Sequence, residues 1–332
     1  MLSSIFLFAT GIVYLSSSIF VRTFTTSLRK NREAARRFGV MYFALLASVV
    51  LILVANDAPL FLIAWECMSI LCFLLINCQQ TERADNSAGY LMLAMSEAGF
   101  LMVVIAFLML GKVAGNLSFP ALAAAGSTLS HGALWAVFVL GFLGFGVKAG
   151  LVPVNFWLPR AYTASPSIFI PVFAGVTLNL GFYGILRLNA NLAPSTYGTG
   201  VFALVVGSVT ALVGILYATT ESDIKTMLAF SSIEKAGIIV AGIGAFLVFR
   251  ATGHAVASAI ALTAALYHMV NHSMYKTLLF QGAGHVEAET GTRDMDRLGG
   301  LSRLLPGLSA VFLVGCLAIS AVPPSMVSSA SG

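Results

Sequence analysis

The chain has 332 residues, 58% hydrophobic and only 9% charged, with a mean hydropathy of +0.93. Soluble domains carry about a quarter charged residues, so this chain cannot cover a water-facing surface; a soluble enzyme, a disordered region and a nucleic-acid binder are excluded. Its net charge of +5 is concentrated, with six of the 18 Lys and Arg residues between Arg22 and Arg37, as in a loop that fixes membrane topology.

A membrane span needs about 20 mainly apolar residues. Ten stretches qualify: 2–21, 39–55, 60–78, 88–111, 132–148, 168–187, 199–217, 226–248, 254–281 and 304–322. They are long and continuous, whereas a membrane barrel needs short alternating segments, so the fold class is an all-α polytopic membrane protein. The first span has no basic residues ahead of it and is of full spanning length, so no cleavable signal is expected. With the N-terminus outside, the cytoplasmic loops hold twelve basic residues (Arg22, Arg29, Lys30, Arg32, Arg36, Arg37, Arg83, Arg160, Lys225, Arg293, Arg297 and Arg303). The outer loops then hold three, Lys112, Arg187 and Arg250. The positive-inside rule favours that orientation, with the C-terminus also outside.

The spans carry ionisable groups, which are costly in a bilayer and mark functional positions by default. Glu66 lies in the third span with no basic residue one turn away, so a partner must come from another helix; a protonated glutamic acid bonded to a carbonyl is the plainer reading. Glu97 sits in the middle of the fourth. Lys148 ends the fifth, where Gly146, Gly150 and Pro153 predict a helix break around Gly150 and Pro153. Freed backbone groups are tolerated in a membrane only beside a cavity or buried protein. A lysine snorkelling from a helix end is the alternative.

Asp223 and Lys225 flank the start of the eighth span at the cytoplasmic edge, where a solvated pair is an equally good reading. Glu234 and Lys235 are adjacent and are expected to point different ways. In the ninth span His268, His272 and Lys276 stand at i, i+4 and i+8, a stripe about 12 Å long on one helix face. That spacing suits a proton relay with bridging waters. A histidine pair can also hold zinc, but no third ligand is near and Lys276 would repel the ion, so no metal is expected. The four cysteines show no ligand spacing, and no Gly-rich phosphate motif is present, so no cofactor is expected in this chain.

Three stretches resemble a known family: Lys148-Ala-Gly-Leu-Val-Pro-Val-Asn-Phe-Trp-Leu-Pro-Arg160, Asp223-Ile-Lys-Thr-Met-Leu-Ala-Phe-Ser-Ser-Ile-Glu234, and His268-Met-Val-Asn-His-Ser-Met-Tyr-Lys-Thr-Leu-Leu-Phe-Gln-Gly-Ala-Gly284. Together with Thr290 to Gly300 they are similar to the antiporter-like, proton-conducting membrane subunits of complex I and its relatives. Ser231 to Glu234 and Gly291 to Gly300 resemble most the membrane component B of hydrogenase-4 and its counterpart in formate hydrogenlyase. The resemblance implies about fourteen helices in the usual subunit, with two inverted five-helix repeats and a broken helix in each. It divides the chain into a first helix and basic loop (1–38), a complete first repeat (39–187) and an incomplete second repeat (188–332). The second break falls at Pro323 and Pro324. The chain thus resembles an internal portion of the usual subunit.

The resemblance implies a proton path through Glu66, Lys148, Lys276, His268, His272, Lys225 and Glu97, with no catalytic residues. Glu66 and Lys148 form the charge pair of the first half-channel. Implied partners are other membrane subunits and peripheral redox subunits holding iron–sulfur and nickel–iron or flavin centres; the implied location is the bacterial inner membrane. Asn179 departs from the family pattern, which usually has a lysine there, and Asn155 and Tyr162 stand where histidines are common. Two other functions share these residues: a subunit of a multisubunit sodium/proton antiporter, and a scaffold that does not conduct.

Overall fold

A computed structural model describes residues 2–24, 32–78 and 87–320. Each of the ten apolar stretches finds a helix. The first six are α1 (Leu2–Phe24), α2 (Arg32–Val54), α3 (Ala58–Asn77), α4 (Ser87–Ala114), the short α5 (Phe119–Gly126) and α6 (His131–Ala149). After α7 (Trp157–Ala164) comes a bent helical run made of α8 (Ile170–Val172), a π-helical stretch (Phe173–Thr177), α9 (Leu178–Leu186) and a second π-helical stretch (Arg187–Leu192). Then follow α10 (Tyr197–Ala218), α11 (Ile224–Ala251), α12 (Ala255–Thr290), α13 (Leu301–Leu304) and α14 (Pro306–Ile319). The described residues form no strand; two isolated bridges, Asp57 with Ser118 and Asp223 with Asp294, tie loops together.

Local chemistry explains the ends. Asp57 caps α3, its Oδ1 accepting from the Leu60 amide at 2.8 Å, and Pro59 occupies the first turn, where an amide would lack a partner. Asp223 caps α11 in the same way through the Thr226 amide at 2.9 Å. The ninth span runs past its predicted end at 281, because the residues up to Thr290 favour helix until Gly291 stops it at φ +70°. The tenth is divided: Pro306 starts α14 as a separate helix of 14 residues, shorter than a full span.

Among the described residues, eight helical runs are long and apolar enough to cross a membrane. Large apolar side chains such as Phe8, Leu15, Val40, Ile63, Leu101, Leu212 and Ile260 point outward, as helices facing lipid require. The run Ile170–Ala190 is instead almost wholly enclosed. Glycines let helices touch backbone to backbone. A Cβ on Gly207 of α10 would press on Ala241 and Gly237 of α11, and one on Gly181 of α9 would lie 2.7 Å from the Ala149 amide. Without a hydrophobic drive inside lipid, such close backbone packing is what holds helices together.

Candidate functional site

The helix break lies where the sequence places it. Gly150 ends α6 in the left-handed region, at φ +72°, which favours glycine. Its amide and that of Leu151 turn back to the last carbonyls of α6, the latter onto Gly146 at 3.0 Å. Residues 151–156 run outside helix, and their polar groups are matched across the bundle. The Val152 amide donates to Thr210 Oγ1 of α10 at 3.1 Å, and Trp157 Nε1 donates to the Val147 carbonyl at 3.0 Å. Pro153 has no amide to satisfy. Of residues 151–156 only Leu151 is buried, Pro153 and Phe156 being exposed, so the break reaches the surface of this chain.

Lys148 is on the last turn of α6 and is only 2% exposed. Its ammonium donates to Ser69 Oγ of α3 at 3.4 Å. Glu66 stands one turn earlier on α3 and does not pair with Lys148 directly. Its carboxyl meets that of Glu97 on α4, and both acids act on Lys148 electrostatically. Glu66, Glu97 and Lys148 thus lie within electrostatic reach of one another, with Ser69 bonded to the lysine.

The stripe on α12 is also buried. His268 is 6% exposed, and His272 and Lys276 are fully enclosed. Lys276 Nζ donates to the Leu228 carbonyl of α11 at 2.8 Å, and Ser232 Oγ donates to the same carbonyl at 3.0 Å. His268 Nε2 and both ring nitrogens of His272 have no protein partner. Glu234 and Lys235 correct the expectation that neighbours on a helix cannot meet: Glu234 Oε1 and Lys235 Nζ lie 2.8 Å apart. Both side chains are long enough to curl over the helix surface, where burial leaves each little else to bond. This pair acts electrostatically on Lys276 and belongs to its surroundings.

Lys225 has a partner the sequence reading did not name. Its ammonium lies 2.6 Å from Glu287 Oε2 on α12 and donates to Ser167 Oγ at 2.9 Å. Ser167 in turn donates to the same carboxylate at 3.1 Å. Asp223, the expected companion, faces Arg293 at 3.0 Å, and Arg293 also donates to the Thr163 carbonyl at 3.1 Å. Glu287 was legible in principle. It lies eleven residues, three full turns, beyond Lys276 and so continues the same face of α12. Asn179 binds α12 as well, its amide donating to Ser273 Oγ at 2.6 Å and to the Gly175 carbonyl at 2.8 Å. Pro323 and Pro324 lie outside the described residues. Among those described, no group of three or more His, Cys, Asp or Glu side chains could hold a metal ion.

A multi-pass bundle with lysines buried at its helix contacts defines a membrane protein that holds charged groups within its helices. Residues 55–329 match the family model described as NADH:quinone oxidoreductase/Mrp antiporter, transmembrane, and the chain belongs to that family. It is 36% identical to hydrogenase-4 component B of Escherichia coli over 326 residues, 97% of this chain and 48% of that protein. Against formate hydrogenlyase subunit 3 of Escherichia coli the identity is 33% over 86% of this chain and 46% of that one. A subunit of a sodium/proton antiporter of Alkalihalophilus pseudofirmus is 28% identical over 96% of this chain and 63% of that one. The fold also matches a chain of the Mrp complex from Dietzia sp., with a TM-score of 0.85, 23% identity, and 98% of this chain and 58% of that one covered. A chain of the membrane-bound sulfane sulfur reductase, an archaeal respiratory membrane complex, gives a TM-score of 0.83 at 25% identity, covering 99% and 52%. The chain spans just under half the length of the two hydrogenase-type relatives.

Proposed function

We propose that this chain is the proton-moving part of a membrane subunit in a hydrogenase-4 or formate-hydrogenlyase-type complex, or one of NADH-quinone-oxidoreductase type. The single observation behind it is that Lys148, Lys225 and Lys276 are all buried, each bonded to a polar group on another element. Burying lysines within a membrane protein is costly and is kept where charge must move.

The chemistry follows from the geometry. Glu66 and Glu97 stabilise a proton on Lys148 from α3 and α4. A change that draws the acids away removes that support and releases the proton toward α12. There Lys276, His272 and His268 receive it in sequence, with water filling the gaps between unpartnered ring nitrogens. Lys225 with Glu287 exchanges protons at the cytoplasmic edge. Redox chemistry belongs in this reading to partner subunits, whose iron–sulfur and nickel–iron or flavin centres drive the displacement. The reading makes residues 39–187 a complete five-helix repeat and 188–332 part of a second, inverted one, with both ends of the chain outside a bacterial inner membrane.

Redox-driven proton uptake by liposomes holding the assembled complex tests it. Lys276→Ala should reduce uptake at least about tenfold, with electron transfer still measurable; unchanged uptake would refute the assignment. The antiporter relative supports a second reading with the same residues, and sodium-dependent proton flux without any electron donor would favour it.

A further inference from the structure

Tyr162 is a fully enclosed side chain whose hydroxyl has no hydrogen-bond partner. It sits on α7, directly after the helix break. The start of α7 is pinned beside Lys148, because Trp157 Nε1 bonds the Val147 carbonyl. The tyrosine ring is held between two phenylalanines, tilted against Phe173 at 5.1 Å and edge-on to Phe280 at 5.4 Å.

Each side leads to a buried lysine. Phe280 is one turn beyond Lys276, and its ring centre is 6.0 Å from Lys276 Nζ. Cys72 of α3 interacts electrostatically with both Tyr162 and Lys148. Cys72 is one turn along α3 from Ser69, which holds Lys148. Tyr162 lies on α7, which packs against α3 and α4 on the Lys148 side and against α11, whose Leu228 carbonyl holds Lys276, so its hydroxyl stands on the element between the two lysine sites.

Packing does not require that hydroxyl. A phenylalanine would fill the ring's place, between two other phenylalanines, without leaving a polar atom unmatched. Buried polar groups that lack a protein partner are matched by ordered water. With the ring clamped, the hydroxyl oxygen is held in place while its proton can turn, so it can both accept and donate. The amide of Asn179, which bridges α9 to Ser273 on α12, carries no proton that it can release at neutral pH.

We propose that the Tyr162 hydroxyl carries the proton from the Lys148 side to the Lys276 side, an inference that rests on the proton-moving function proposed above. In the step, an N–H bond of the Lys148 ammonium breaks and its proton passes through water to the Tyr162 oxygen. The tyrosine's own O–H proton leaves through a second water and forms an N–H bond on neutral Lys276. Tyr162 ends neutral, Lys148 ends neutral and Lys276 ends charged. Rotation of the hydroxyl resets the link.

The test is redox-driven proton flux into liposomes holding the assembled complex, with Tyr162→Phe, Tyr162→His, Lys148→Met and Lys276→Ala. Tyr162→Phe should lower flux at least about tenfold, with assembly and electron transfer unchanged, and Tyr162→His should restore most of it, because imidazole also accepts and releases a proton. Wild-type flux in Tyr162→Phe, with flux lost in both lysine variants, overturns the tyrosine link and leaves the proton-moving function standing. Wild-type flux in the lysine variants overturns the function itself. Should Tyr162→Phe fail to assemble, Tyr162→His is compared with Tyr162→Met: flux in the histidine variant alone supports the link, and equal flux in both overturns it.

Discussion

At the scale of single residues, the membrane interior makes each charge depend on its partner. Glu234 and Lys235 are each nearly enclosed and 2.8 Å apart, so removing one leaves the other uncompensated. Breaking a buried pair costs about 3–5 kcal/mol, whereas replacing both members by apolar groups is often neutral. Glu234→Gln should therefore lower the melting temperature of the purified protein in detergent, and Glu234→Gln combined with Lys235→Met should recover most of it. A double variant as unstable as the single one would mean that the two side chains stabilise the fold separately. Lys225 presents a different balance, since Glu287 is 32% exposed while Lys225 is 4% exposed. Solvent screens the carboxylate, so Glu287→Gln should cost less stability than Glu234→Gln, and the same melting series ranks them.

At the scale of elements, apolar length and the Gly150–Pro153 signal located the bundle and its break, because both depend only on local sequence. Gly150→Ala should destabilise the protein by roughly 1–2 kcal/mol, the cost of a side chain in the left-handed region. The added Cβ would also meet Leu158 Cδ1 at 2.6 Å. Thermal unfolding measures this; an unchanged midpoint would mean that the end of α6 relaxes without cost. The stripe on α12 was legible too, because helical periodicity puts His268, His272 and Lys276 on one face. What could not be read was which carboxylate serves which lysine. Such pairing depends on how α3, α4, α11 and α12 are brought together, through contacts between residues far apart in sequence. Hence Glu287 replaced Asp223 as the partner of Lys225, and Glu66 met Glu97 before it met Lys148. Glu234 and Lys235 defeated a rule about neighbours because their side chains are long and their surroundings apolar.

At the scale of the whole molecule, the account joins two lysine sites across the bundle. Lys148 stands between α3 and α6 and Lys276 between α11 and α12, with α7 packed against α3, α4 and α11. The relatives of hydrogenase type are about twice as long as this chain, so its sites align with only part of those proteins. Orientation is testable apart from transport. A single cysteine introduced at Arg36 should react with an impermeant thiol reagent only from the cytoplasmic side, and labelling from outside would reverse the topology inferred from loop charge.

The most direct measurement compares redox-driven proton uptake by liposomes carrying the assembled complex with wild-type chain and with Lys148→Met. The account predicts that uptake falls at least about tenfold in the variant while electron transfer continues. Equal uptake in both would contradict it and would make this chain a scaffold beside the subunits that move protons.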